Sequence, residues 1–330
     1  MRMHGGLGLA IVLAAAALTG CEQKAASPPT DASAPPATAP ATARVPHTIN
    51  EGEPEDGPAT LSAPPQVAAG ATFEIDWTGP GNAQDYIDIV PRGHAQTTGE
   101  ITYVYVKNAA VVGALNAPVA PGEYDIRYLA ELSSGRVVKA VVPLTVTPLT
   151  VSLDTPPTSA TSAEPLSIKW TGPNYKGDYV DIVPRGFTQT SGEISYAYTS
   201  TGNPSLVTAP GAPGEYDIRY VVEGQPQRRI MTTAPLTVTE APAALTAPLT
   251  ARKGEALSIK WTGPNRQGDY VDLVPKGFAS TSGELSYFYT SIGPSGSLKA
   301  PDKVGDYEIR YVLEAPGGRR ILATAPLKVQ

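Results

Sequence analysis

The feature that most constrains this chain is a unit of about 90 residues that occurs three times. Trp77, Trp170 and Trp261 each open a "WTGP", at spacings of 93 and 91 residues. The stretch 166–200 matches 257–291 at 27 of 35 places, while the first copy is more divergent. Each copy also contains "PGEYDIRY" or "VGDYEIRY" (121–128, 213–220, 304–311) and closes on "VPLTV", "APLTV" or "APLKV". Repeats of 20–50 residues fold only as stacks, whereas about 90 residues can close a core alone. The copies therefore read as tandem domains: repeat 1 over 58–147, repeat 2 over 148–239 and repeat 3 over 240–330.

Within each copy, short alternating runs such as "TFEIDW", "DYIDIV", "EITYVY" and "EYDIRYL" lie between turn signals, with no sustained helical period after position 21. With 34 Pro, 32 Gly and 16 Tyr in 330 residues, the fold class is all-β, a β-sandwich per copy. Side chains alternate faces with period two along a strand. Asp178 and Asp181, three apart, thus point to opposite faces and cannot clamp one ion. Asp181 is expected to meet Arg219 on the outer, exposed face, as Asp88 meets Arg127 and Asp272 meets Arg310. A structural role for these acids is weighed against a cation or ligand site at Asp178 and its equivalents.

At "GEYDIRY" the chain resembles the immunoglobulin-like fold. That resemblance implies a tyrosine corner at Tyr124, Tyr216 and Tyr307. Isoleucines 126, 218 and 309 stand where that family places its second core cysteine, and Trp77, Trp170 and Trp261 end strand B rather than sitting on strand C. The combined pattern is also similar to β-sandwich repeats attached to some proteobacterial von Willebrand A-type proteins. No D-x-S-x-S motif is present, so the metal chemistry of the A domain is not implied.

The N-terminus has a different character. "MRMH" and a short apolar stretch end in Leu18-Thr19-Gly20-Cys21. This resembles a bacterial lipobox. The resemblance implies a signal peptide over 1–20, lipid attached to Cys21 and, with Glu22 in place of Asp, an outer-membrane anchor facing the periplasm or cell surface. Cys21 is the only cysteine, so no disulfide forms within the chain. Residues 21–57 are rich in Ala, Pro and Thr and read as a disordered tether, about 100 Å long when extended.

The net charge of −6 and the absence of any Lys/Arg run exclude a nucleic-acid footprint. No G-x-S-x-G, H-E-x-x-H or P-loop motif is present, and only His47 and His94 follow the signal segment. These features disfavour an enzyme, and no cofactor is implied. The expected role is binding, adhesion or scaffolding at the cell envelope, alternatively polysaccharide binding beside an envelope hydrolase, with a membrane, an envelope protein or a glycan as partner. The repeats differ in a turn that reads "GPGNAQD", "GPNYKGD" and "GPNRQGD", which nominates Tyr175 and Arg266 as ligand contacts on a recognition loop. Of "EITYVY", "EISYAY" and "ELSYFY", the paired tyrosines are expected to face the core. Phe288 is then expected to face out, to stack on a ligand or to cover a seam between domains.

Overall fold

The computed structural model describes residues 48–108 and 113–330. The signal segment 1–20, Cys21 and the tether to residue 47 lie outside the described residues.

Repeat 1 runs through eight strands: β1 (Thr60–Ser62), β2 (Gln66–Ala68), β3 (Thr72–Thr78), β4 (Tyr86–Pro91), β5 (Thr102–Tyr105), β6 (Gly113–Asn116), β7 (Gly122–Leu132) and β8 (Gly135–Thr147). One sheet has the order β1-β3-β6 and the other β2-β8-β7-β4-β5, with β2 parallel to β8 and every other pair antiparallel. Repeats 2 and 3 reproduce both sheets strand for strand. In immunoglobulin terms the sheets are A-B-E and A′-G-F-C-C′, so the chain is three tandem immunoglobulin-like sandwiches.

The alternation in the sequence has a direct physical outcome on β3. Phe73, Ile75 and Trp77 are buried while their neighbours are exposed. Across the core they meet Ile87, Ile89, Ile126, Tyr128 and Leu144. The cores of repeats 2 and 3 follow the same pattern. Each Trp ring lies against the second tyrosine of strand F, with centroids 5.8 Å apart for Trp77–Tyr128 and 5.5 Å for both Trp170–Tyr220 and Trp261–Tyr311. Tyr124, Tyr216 and Tyr307 each donate a hydrogen bond of 2.8–2.9 Å to the carbonyl four residues upstream, pinning the chain as it enters strand F.

Residues 48–57, read from composition as part of the tether, instead pack on repeat 1. Asn82 Oδ1 accepts from Asn50 Nδ2 and Glu55 N, Asn82 Nδ2 donates to the Glu55 carbonyl, and Asp56 pairs with Lys139. Composition reports that a segment cannot form its own core; it does not report whether a neighbour offers partners for its backbone.

Candidate functional site

The outer face of the five-stranded sheet carries two contrasting regions in every repeat. The first is the acid–arginine pair on strands C and F. Register places Asp88 beside Arg127, Asp181 beside Arg219 and Asp272 beside Arg310, but all six side chains are buried, which corrects the expectation of exposed pairs. The cover comes from the C–C′ loop rather than from the other sheet. In repeat 2, Arg219 Nε and Nη2 reach the two oxygens of Asp181 at 2.9 and 2.6 Å. Its Nη1 donates to the carbonyls of Phe187 and Gln189 in that loop. Arg127 holds the carbonyls of His94 and Gln96 in the same way, and Arg310 those of Phe278 and Ser280.

The planar guanidinium fork therefore serves a carboxylate on one edge and a folded-back loop on the other. Burial pushes the Asp88, Asp181 and Asp272 carboxyls up from their ordinary value, and the paired arginine opposes that rise.

Asp85, Asp178 and Asp269 form a second buried set. Asp178 accepts from the N–H groups of Tyr175 and Glu223 and from the Tyr220 hydroxyl. Asp269 accepts from Arg266 N, Glu314 N and the Tyr311 hydroxyl. Their lone pairs tie the B–C turn to strand F, and burial raises both carboxyls. The Tyr220 and Tyr311 phenols are raised as well, chiefly by burial. This is the geometry of a structural clasp.

The second region is an open strip of tyrosine on strand C′, the edge of the same sheet. Tyr103 pairs with Asp88 and Tyr105 with Tyr86, so both point to the outer face; Tyr196 and Tyr198, and Tyr287 and Tyr289, do the same. This reverses the expectation that they face the core. Tyr103 is 51% exposed, Tyr196 49% and Tyr287 49%. Within each pair the rings meet edge to face at 5.5 Å. Beneath them lies a buried tyrosine of strand C (Tyr86, Tyr179 or Tyr270). An arginine caps it: Arg136, Arg228 and Arg319 sit 5.5–5.6 Å from the respective ring centres and are each held by a glutamate at 2.6–2.7 Å. Burial pushes the Tyr179 phenol up to about 12. Glu100, Glu193 and Glu284 each bury one carboxylate oxygen without a hydrogen-bond partner.

The middle residue of each Tyr-x-Tyr faces inward. Phe288 is therefore part of the repeat 3 core, not a solvent-facing contact. A Cβ on Gly296 would lie 2.5 Å from the Phe288 ring, so the glycine makes the room that the phenyl fills. At the equivalent places repeat 2 has Ala197 and Ser205. That exchange of volume across the core was the sequence signal for the true facing of strand C′.

The variable B–C turn meets the neighbouring segment instead of open solvent. Tyr175 is half-buried, and a Cβ on Gly70 of repeat 1 would lie 2.9 Å from its ring. It lines a cleft of about 330 Å³ together with Gly70, Asn116 and Glu223. Arg266 lines a cleft of about 450 Å³ with Ala163, Pro165, Glu314 and Pro316, between repeats 2 and 3. The equivalent residue of repeat 1 is Asn82, which holds residues 50–55. The turn varies because each copy meets a different neighbour.

No protein-family model matches the chain, and no curated protein matches its sequence. Among solved structures, extracellular domains 3–5 of Drosophila OTK cover 86% of this chain and 98% of their own, with 12% identity and a TM-score of 0.26. The titin I-band fragment I67–I69 covers 84% and 99%, with 13% identity and a TM-score of 0.20. The insect immune protein hemolin covers 82% and 76%, with 14% identity and a TM-score of 0.20. At these scores the fold assignment rests on the sheet order above.

Proposed function

We propose that the chain is a non-enzymatic binding or scaffolding protein of the cell envelope, anchored through a lipid on Cys21, that contacts its partner through the tyrosine strips. The observation that carries this reading is an edge strand with Tyr-x-Tyr in all three repeats, its first tyrosine exposed in each and its second in repeats 2 and 3, backed by a buried tyrosine and an arginine. Tyrosine supplies amphipathic contact area at low conformational-entropy cost, and exposed aromatic clusters mark interaction surfaces. The Leu18-Thr19-Gly20-Cys21 motif supports the anchor, and the tether residues support reach from a membrane.

A photo-crosslinking residue at exposed Ser200, beside the repeat 2 strip, tests the reading in intact cells. Adducts are expected, and they are expected to vanish when Tyr196 and Tyr198 are both serine. Adducts indifferent to that change would overturn the role of the strip.

The polysaccharide reading draws on the same tyrosines, since exposed rings offer sugars a stacking surface. With Phe288 buried, that reading rests in repeat 3 on the exposed Tyr287 and Tyr289. Glycan binding that is lost in Tyr287→Ser/Tyr289→Ser would favour a polysaccharide over a protein partner.

A further inference from the structure

One exposed residue beside the tyrosine strips changes its chemistry between the repeats. Strand C′ runs into a single helical turn, at Val106–Asn108, Thr199–Thr201 and Thr290–Ile292, whose second residue is Lys107, Ser200 or Ser291. In repeat 1 the Lys107 ammonium lies 5.3 Å from the centre of the Tyr105 ring, within the range over which an aromatic face attracts a cation. Serine offers no such group. Among the described residues no cation lies over Tyr198 or Tyr289. These two rings are 44% and 49% exposed, whereas Tyr105 is partly covered.

Charge points the same way. The groups whose charge acts on the buried Tyr179 of repeat 2 are Asp181, Glu193, Arg228 and Arg219. Asp181 is paired with Arg219, and Arg228 with Glu223. Glu193 is left over, with one carboxylate oxygen buried and no hydrogen bond to it. In repeat 3, Asp272 pairs with Arg310 and Arg319 with Glu314, which leaves Glu284 in the same condition. Repeat 1 has the same remainder, Glu100, once Asp88 has paired with Arg127 and Arg136 with Glu131. Each strip thus carries one uncompensated carboxylate beside its rings, and only repeat 1 supplies a cation of its own.

We propose that Tyr198 with Glu193, and Tyr289 with Glu284, are two sites for lysine side chains of a partner protein, and that Lys107 fills the equivalent site of repeat 1 from within the chain. The proposal rests on the tyrosine strips being the contact surface and adds what they select. Lysine is the occupant because it is the group that the structure shows on the ring. Its apolar stem packs along a tyrosine while the ammonium stays over the face and in water. An exposed contact of this kind is weak alone, so two sites on one chain favour a partner that presents several lysines.

The test titrates the full chain, carrying Cys21→Ser and isotope-labelled tyrosine rings, with an acetylated lysine pentapeptide. The Tyr198 and Tyr289 rings are expected to shift and the Tyr105 ring to stay put. Ser200→Lys/Ser291→Lys is expected to weaken both shifts several-fold, by supplying the cation from the chain. Lys107→Ser is expected to bring Tyr105 into the titration, while Lys169→Ser, the same charge change at an exposed place on the other sheet, leaves it silent. No ring shift at millimolar peptide, or shifts indifferent to the two added lysines, overturns the proposal. A glucosamine oligomer that shifts these rings more strongly also overturns it, by making an amino sugar the occupant. In intact cells, with the photo-crosslinking residue moved to exposed Thr201, adducts are expected to fall several-fold in Ser200→Lys. Adducts that vanish in Tyr196→Ser/Tyr198→Ser yet persist in Ser200→Lys keep the strip as the contact surface and overturn the lysine site alone.

Discussion

The acid–arginine pair and the tyrosine strip lie on one face of one sheet, a strand apart, yet one is sealed and the other open. Asp181 and Tyr196 are direct register partners. Asp181 is fully buried, while Tyr196 is half in solvent. The difference is the C–C′ loop, which folds back over strands C and F and is held there by the Arg219 Nη1 bonds to Phe187 and Gln189. A face of a sheet is therefore not one environment. What covers it is decided by where a loop finds hydrogen-bond donors.

The largest expected effect breaks the sealed side. Asp272→Asn leaves Arg310 charged, buried and without its carboxylate, and truncating one partner of such a pair costs about 3–5 kcal/mol. Urea unfolding of residues 240–330 measures it. A cost below about 1 kcal/mol, the range of an exposed pair, would mean that the loop does not seal the site in solution.

The facing of strand C′ is tested next, on the side opposite the tyrosines. Phe288→Ala opens a cavity against Gly296 and is expected to cost about 3–5 kcal/mol in the same assay. The reverse change, Ala197→Phe in repeat 2, overfills a core that has Ser205 where repeat 3 has Gly296, at about 1–3 kcal/mol. If Phe288→Ala were neutral, the phenyl would have to lie in solvent and the tyrosines inside.

The open side should respond differently. Tyr287→Ser/Tyr289→Ser removes half-exposed rings with no buried hydrogen bond of their own, so stability is expected to fall by about 1 kcal/mol or less, while binding through the repeat 3 strip is lost. Loss of folding in that variant would make the strip structural.

The smallest effect is a pH slope at the clasp beside the pair. Burial raises the Asp269 carboxyl, so the folded state keeps its proton to a higher pH than the unfolded chain does. Stability from this group is full below the unfolded value of about 3.9 and is lost as pH rises through the raised folded value. Acidification from pH 7 toward 4 thus gains stability from Asp269. Asp269→Asn is expected to reduce that gain in urea midpoints taken across the range; an unchanged slope would place the carboxyl's folded value no higher than its unfolded one.

The repeat and the β-sandwich class were legible in the chain because each is a local pattern, a period of two between turn signals, and the tyrosine corners followed from the immunoglobulin resemblance at "GEYDIRY". The pairing of Asp181 with Arg219 was legible as well, since strands C and F adjoin in the sandwich that those patterns imply. Its burial was not, because the C–C′ loop is polar and its own sequence gives no sign that it folds back. Period two fixes that Tyr196 and Tyr198 share a face and that Ala197 takes the other, but it carries no sign. Which face meets the core is set by the register against strand C and by the volume left across the sandwich, as Phe288 and Gly296 show. Tyr175 and Arg266 were legible as the places where the copies differ. Only the tertiary structure shows that the difference answers to three unlike neighbours, because a joint between domains brings together residues from separate repeats with no local pattern linking them.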